Sequence, residues 1–544
     1  MVLKVAQALA DRFFPYEYAW HILIALVTLT ALRTFSQGRT TNRERDLHDR
    51  TFMVTGGFTP LGLTLLQNLA QRGAKIVALS PYPIDSPAVT ILVSLLRTTY
   101  NNDNIYAERC NLSDPDSIRS FCMRFLTEGE TEDDKSKPQS KHESKDSPQP
   151  TGKEKPKAKT DSRLDGIIFA HEYQHIGIPR ILRNKPSTKA TITQDEEEET
   201  QRESNSLATF LITTLLLPAL LVAPVERDIR IVNVVNPFYA AAAASVRASK
   251  TFDPTFSRFL TPSTSTTSSS SLPATKSIFL KEGLRSLRTI IFARHLQRIF
   301  DALPNPQIPK TDKGSSSVPI ISARVQRSNI VAVSVSPGLG RVDTVSRMLN
   351  ADWSLLESGS EEGLMERRFS WMGVLLYILL LPLLHVSTKS PKAAVQSILH
   401  SLFLPTPFKI LSQSISDSTS EPSQKSQGDS SNSTPAKPTQ QPTSLIREEV
   451  LKPGALYTEC AVVSLDLSIP APPPTETESK ENSSGKGKEK GGLKEEVLQI
   501  TDDGEYGGEV AGRLVWEAYE AALKVWERSS GTSKSGSSRG KKDS

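Results

Sequence analysis

The stretch from Arg50 to Leu79 constrains the fold more than any other part of the chain. It reads Thr51-Phe52-Met53-Val54-Thr55, then a turn at Gly56-Gly57, then Thr64 to Ala70 at helical spacing, then Lys75-Ile76-Val77-Ala78-Leu79 after Gly73. This is strand, glycine-bearing turn, helix and second strand, a βαβ unit of about thirty residues. Two strands joined in this way lie parallel in one sheet. The glycines also clear side chains from the start of the helix, where a pyrophosphate must approach backbone amides. Gly56, Gly57 and Gly62 supply part of that opening.

Only part of the 544 residues can fold around such a unit. Tracts rich in Lys, Glu, Ser, Pro and Thr occur near 128–163, 185–204, 261–275, 304–318, 412–446, 470–494 and 528–544. They hold too few aliphatic residues to offset the entropy of ordering, so disorder is expected there. What remains is roughly 300 residues, the size of one elaborated α/β domain with a membrane segment. The expected order is an anchor and linker over 1–47, then one interrupted domain over 48–411 and a return to it over 447–469. An amphipathic helix is expected over 495–527. The long inserts are candidate sites for protein partners. A net charge of +5, with basic residues set beside acidic ones as in Lys153 to Lys159, argues against nucleic acid as a partner. Cys110, Cys122 and Cys460 have no paired spacing, so neither a disulfide framework nor a metal site is expected.

Two apolar runs point to a membrane. Tyr16, Tyr18 and Trp20 precede the run Ile22–Leu32, and Arg33, Arg39, Arg43 and Arg45 follow it. Aromatic residues before and arginines after suit an N-terminal anchor with its basic end on the cytoplasmic side. A buried N-terminal helix is the alternative. The second run, Trp371 to Leu384, contains Pro382 and is followed by a globular pattern from Ser390. It is read as lying in the membrane interface, with spanning or covering a pocket as the alternatives.

Thr55-Gly56-Gly57-Phe58-Thr59-Pro60-Leu61-Gly62 resembles the TGxxxGxG fingerprint of the short-chain dehydrogenase/reductase superfamily, with Pro60 in place of the middle glycine. The resemblance runs on in order through the chain. Asn111-Leu112 stands where the family carries Asp-Leu to hold the adenine. Leu164 to Phe169 resembles the strand that leads into NNAG, while the NNAG motif itself is replaced by Ala170-His171-Glu172. Pro337-Gly338 resembles the turn beside the nicotinamide, and Thr344 the threonine that contacts cofactor phosphate. The resemblance implies a doubly wound, parallel Rossmann-type α/β sheet. It also implies NADP or NAD as cofactor, held by Thr55, Gly56, Gly57, Gly62, Asn111, Pro337, Gly338 and Thr344. Ser80-Pro81-Tyr82-Pro83 carries neither the acidic residue for a ribose hydroxyl nor an arginine for a 2′-phosphate. Similarity to the retinol dehydrogenase-like branch, in a divergent, fungal-type form, tilts the expectation to NADP. The anchor and the apolar 371–384 run support an apolar alcohol or ketone, lipid or sterol-like, as substrate, and a cytosol-facing place on the endoplasmic reticulum or a lipid droplet is expected.

The catalytic half of the resemblance is degenerate. Asn205 falls at the family's catalytic asparagine, with a helix N-cap as the alternative role. Asn236 occupies the serine position, either as a substitute donor or as a turn residue before Pro237. Glu282 stands at the tyrosine position and Ser286 at the lysine position. The usual chemistry needs a phenol whose pKa an adjacent ammonium lowers, and neither group is present. Lys281 and Arg285 lie four apart on one helical face; a solvated face is expected for them, with binding of a nicotinamide ribose or phosphate as the alternative. Two functions stay open: an oxidoreductase of an apolar alcohol or ketone, or a silent relative that binds nucleotide or lipid or scaffolds partners.

Overall fold

The computed structural model describes residues 16–130, 163–174, 189–222, 227–249, 277–303, 329–349, 371–406, 449–467 and 502–537, with the single positions 252, 351 and 500. The tracts 261–275, 304–318, 412–446 and 470–494, expected to be disordered, lie outside the described residues.

Strands β1 (Thr51–Thr55), β2 (Lys75–Ser80), β3 (Ile105–Arg109), β4 (Gly166–Phe169), β5 (Ile229–Val234), β6 (Ile330–Ser336), β7 (Leu456–Thr458) and β8 (Ala461–Val463) form one sheet. Its order is β3-β2-β1-β4-β5-β6-β7-β8. All neighbours are parallel except the β7–β8 pair. This is the doubly wound arrangement, and its topological switch point falls between β1 and β4.

Alternation along the strands sends side chains to two cores. Phe52 and Val54 join Leu61, Leu65, Leu66 and Leu69 of α2 (Pro60–Gln71), together with α3 (Pro87–Tyr100) and α9 (Pro391–Phe403). Met53 and Val77 face the other way, towards α4 (Pro115–Glu130), α5 (Lys189–Leu221), α7 (Ile278–Ala302) and α10 (Gly508–Ser537). Helix α6 (Tyr239–Ser249) packs against α7.

Three of the polar tracts depart from expectation at their edges. The tract at 185–204 enters α5 at Lys189, the tract at 128–163 begins inside α4, and the tail at 528–544 continues α10 to Ser537. Acidic and small residues that cannot build a core are still good helix formers when a packed helix carries them on.

Helices α1 (Tyr16–Gln37) and α8 (Trp371–Ser387) stand apart from both cores and pack against each other. Their feet interlock. Ser36 Oγ donates to the Val386 carbonyl at 2.5 Å, Gln37 Nε2 donates to the Thr388 carbonyl at 3.1 Å, and Gln37 Oε1 accepts from Ser390 N at 3.1 Å. Behind α1, Arg45 reaches Asp228 at 2.8 Å, and Asp228 also pairs with Arg230 at 2.7 Å. Among the described residues, the one helix long and apolar enough to cross a membrane is Glu199–Leu221, and 67% of its apolar 18-residue window is buried inside the fold.

Candidate functional site

The C-terminal ends of β1, β4, β5 and β6 place the family-matched residues on one edge of the sheet. Thr55 and His171 meet there, with Thr55 Oγ1 2.8 Å from His171 Nδ1. His171 Nε2 lies 2.9 Å from the carbonyl of Asn205, which can only accept, so Nε2 carries the proton and Nδ1 receives the Thr55 hydroxyl. Complete burial holds this imidazole below its usual pKa, in the neutral form that both bonds require.

Around it lies a buried polar cluster. Glu172 accepts from Thr209 Oγ1 and Thr289 Oγ1, each at 2.9 Å. Ser206 and Tyr519 share a hydrogen bond of 2.9 Å, and burial pushes the Tyr519 phenol up to about 12. Glu282 pairs with Arg285 at 2.5 Å and with Arg202 at 3.3 Å.

This geometry resolves the catalytic positions. Asn205 lies in the interior of α5, so it is not a helix N-cap. Its carbonyl is committed to His171, and its Nδ2 is buried with no hydrogen-bond partner among the described residues. Asn236 acts as a turn residue: its Oδ1 accepts from Phe238 N at 3.1 Å, and its Nδ2 points to the Glu282 carbonyl at 3.4 Å. Ser286 Oγ accepts from Asn236 N at 3.3 Å. Glu282 is 4% exposed, and its carboxylate is committed to an ion pair with Arg285. Arg285 is also 4% exposed, so the solvated-face expectation fails for it. It holds for Lys281, which reaches Glu199 at 2.9 Å on the surface.

The residues matched to the cofactor have firm structural roles. Gly56 has φ +67°, and a Cβ there would meet His171 N at 2.8 Å, so the β1 and β4 loops touch. A Cβ on Gly62 would lie 2.1 Å from the Gly56 carbonyl oxygen, and one on Gly57 would lie 3.2 Å from Leu66 Cδ1. Asn111 is exposed, its Oδ1 accepting from Ser113 N at 3.1 Å in the turn that opens α4. Pro337 and Thr344 are buried, and Gly338 has φ +91° beside Lys389.

The amide donors at the start of α2 are largely engaged within the chain. Pro60 has no amide proton, Leu61 N donates to Asp343 Oδ1 at 3.1 Å, and Gly62 N donates to Thr59 Oγ1 at 3.0 Å. The first turn of α2 is therefore already supplied with acceptors. Across the crevice, Tyr173 is fully buried and donates to the Gly338 carbonyl at 2.7 Å. Asp343 and Tyr173 carried no signal in the sequence, because their positions depend on contacts between distant segments. Among the described residues there is no cluster of three or more metal-ligating side chains.

The strand order and the glycine turn at its switch point define a doubly wound sheet of Rossmann type. No family model matches the chain. It is 35% identical over 103 residues to an uncharacterized oxidoreductase of Schizosaccharomyces pombe, covering 19% of this chain and 27% of that one. It is 27% identical over 225 residues to an uncharacterized oxidoreductase of Saccharomyces cerevisiae, covering 41% and 46%. To retinol dehydrogenase 12 of Mus musculus it is 27% identical over 105 residues, covering 19% and 32%. Each match thus spans less than half the relative's length. A solved structure of a putative short chain dehydrogenase from Pseudomonas syringae is similar at TM-score 0.35 and 14% identity, over 66% of this chain and 92% of that one. The chain is thus similar in sequence, over less than half of each relative's length, to two proteins named as uncharacterized oxidoreductases and to a retinol dehydrogenase.

Proposed function

We propose that the chain is a membrane-apposed member of the short-chain dehydrogenase/reductase superfamily that handles an apolar, lipid-like ligand and is silent in that superfamily's usual proton-relay chemistry. One observation carries the membrane part: the paired helices α1 and α8 turn apolar side chains to solvent. Trp20 is 67% exposed and Phe35 85%, while Leu375 and Leu379 on α8 are 64% and 69% exposed. A contiguous apolar patch of this kind on a folded protein needs a cover. Aromatic and aliphatic residues along the helices, with Arg33, Arg39 and Arg43 at the foot of α1, suit a bilayer interface with the sheet on the cytosolic side. An endoplasmic reticulum or lipid-droplet surface fits that reading.

The ligand class follows from where α8 is rooted. It belongs to the excursion between β6 and α9, and Gly340 and Lys389 bridge the base of that excursion. A lipid partitioned around α8 would therefore reach the sheet edge next to the Pro337-Gly338 turn. The silent part rests on Glu282, Asn236 and Ser286, whose polar atoms serve each other and Arg285.

Co-flotation of the full chain with phosphatidylcholine vesicles containing anionic lipid tests the membrane reading. The wild type should rise with the vesicles, and Leu375→Asp with Leu379→Asp should stay below while keeping its melting temperature. Equal flotation of both would overturn it. A second reading, NAD(P)-dependent reduction of an apolar ketone, is favoured by the glycine turn at Thr55–Gly62. It predicts ketone-dependent NADPH or NADH oxidation in the presence of vesicles.

A further inference from the structure

We infer that Asp343 is an internal occupant of the phosphate position, so that the chain's own carboxylate competes with any dinucleotide for the N-terminus of α2. This goes beyond the membrane reading and does not depend on it.

The start of a helix attracts negative charge because its first amides lack intrahelical acceptors and its dipole is positive there. In α2 that demand is met from within. Leu61 N is bound to Asp343 Oδ1 at 3.1 Å, while Thr59 Oγ1 takes Gly62 N and the Thr59 carbonyl takes Leu63 N at 2.6 Å. Asp343 is only 2% exposed. Water therefore does little to screen its charge from an arriving phosphate.

The carboxylate is held in place from three sides. It sits in a π-helical turn, Arg341–Val345, that packs on both α2 and the short helical turn Glu172–Gln174. That puts it over the switch point. Gly340, at the entry to the turn, lies so close to Tyr173 that a Cβ would be 2.7 Å from the phenol oxygen. Tyr173 in turn donates to the Gly338 carbonyl at 2.7 Å, and burial together with the Asp343 charge pushes its phenol pKa up. On the third side Lys389 closes the base: its N donates to the Leu339 carbonyl at 2.9 Å, and Arg341 N donates to the Lys389 carbonyl at 3.2 Å. Turns of π type are frequent at functional sites, where they bring one side chain into an otherwise unreachable position. Here the side chain is an anion aimed at an anion site.

Binding of NADPH, NADH and inorganic pyrophosphate to the purified full chain, read by titration calorimetry, tests the assignment. Asp343→Asn keeps an oxygen that can accept from Leu61 N and removes the charge. It should bind pyrophosphate and at least one dinucleotide at least tenfold more tightly than the wild type. Asp46→Asn, an exposed carboxylate changed in the same way, should leave affinity unaltered. Equal or weaker binding by Asp343→Asn, or an equal gain from Asp46→Asn, would overturn the proposal. A readout on the unaltered chain stands even if the variant does not fold. Amide exchange at Leu61 should be slow without any nucleotide, and rapid exchange there would refute the assignment.

Discussion

Helix α5 from Glu199 onward and helix α8 are both strongly apolar, and they end up in opposite places. In α5, Phe210 stacks on Tyr519 with ring centroids 5.2 Å apart and meets Phe292 and Trp516 edge-on at 5.7 and 5.1 Å. Leu207, Ala208, Ile212 and Leu216 have no exposure at all. In α8, Met372, Leu375, Ile378, Leu379 and Leu383 are each more than half exposed. The difference lies in the partners. The C-terminal helix α10 and α7 cover α5, whereas α8 has α1, which brings an apolar surface of its own. Apolar composition sets the need for a cover, and the rest of the chain decides whether protein supplies it.

The sharpest way to break this contrast is to place the same charge in both helices. Ile212→Asp buries a carboxylate with no described partner among Leu207, Leu216 and the facing core. It should cost more than about 4 kcal/mol and leave the domain unfolded or unable to accumulate. Leu375→Asp should change stability by no more than about 0.5 kcal/mol, because the side chain already faces solvent. Chemical denaturation of the two variants decides between them. Similar losses would show that α8 is part of the core after all.

That contrast also explains what the sequence made legible. The β1–α2–β2 unit could be read from its period-2 and period-3.6 patterns and stands where the glycines put it, whereas the doubly wound sheet was implied by the family resemblance. Legibility stopped at positions whose role depends on a second, distant segment. Asn205 looked like a helix start because Asp195 to Glu199 read as a disordered tract, yet glutamates propagate a helix well and α5 begins sixteen residues before Asn205, at Lys189. Arg285 looked solvated because its helix-mates are charged, but α7 is covered so completely that the guanidinium found Glu282 inside. The glycine motif was read for its opening to phosphate, and nothing local to it announced that Asp343 would arrive from nearly three hundred residues away.

A smaller effect is expected where the N-terminal helix joins the sheet. Burial by itself would raise the Asp228 carboxyl, but Arg230 and Arg45 bring it down to about 2. A carboxylate with a depressed folded pKa contributes stability that is present above its unfolded value of 3.8 and is lost as pH falls towards 2. The unfolded chain takes up the proton first in that window, so acid favours unfolding. Asp228→Asn removes the contribution at neutral pH and leaves Arg230, itself 2% exposed, without its counter-charge. A loss of about 3 kcal/mol is expected, together with a flatter dependence of stability on pH between 4 and 2. An unchanged acid limb in the variant would mean that other carboxylates govern it.

The smallest effect should come from the foot of the helix pair, and it discriminates most finely between a covered helix and an uncovered one. Gln37 binds the α8 side through three contacts: its Nε2 to the Thr388 carbonyl at 3.1 Å, and its Oε1 to Ser390 N at 3.1 Å and Ser390 Oγ at 2.9 Å. These groups are partly open to water, which can replace a lost partner, so Gln37→Ala should cost no more than about 1 kcal/mol globally. The local consequence is larger than the global one. Ser390 N loses its side-chain acceptor, and the apolar helices gain freedom to part at their base. Amide exchange should accelerate at Ser390 while Ile212, deep in α5, keeps its protection. If both amides accelerate together, the helix pair and the sheet open as one cooperative unit. If neither changes, Gln37 does not hold α1 to α8 and the pairing rests on apolar contact alone.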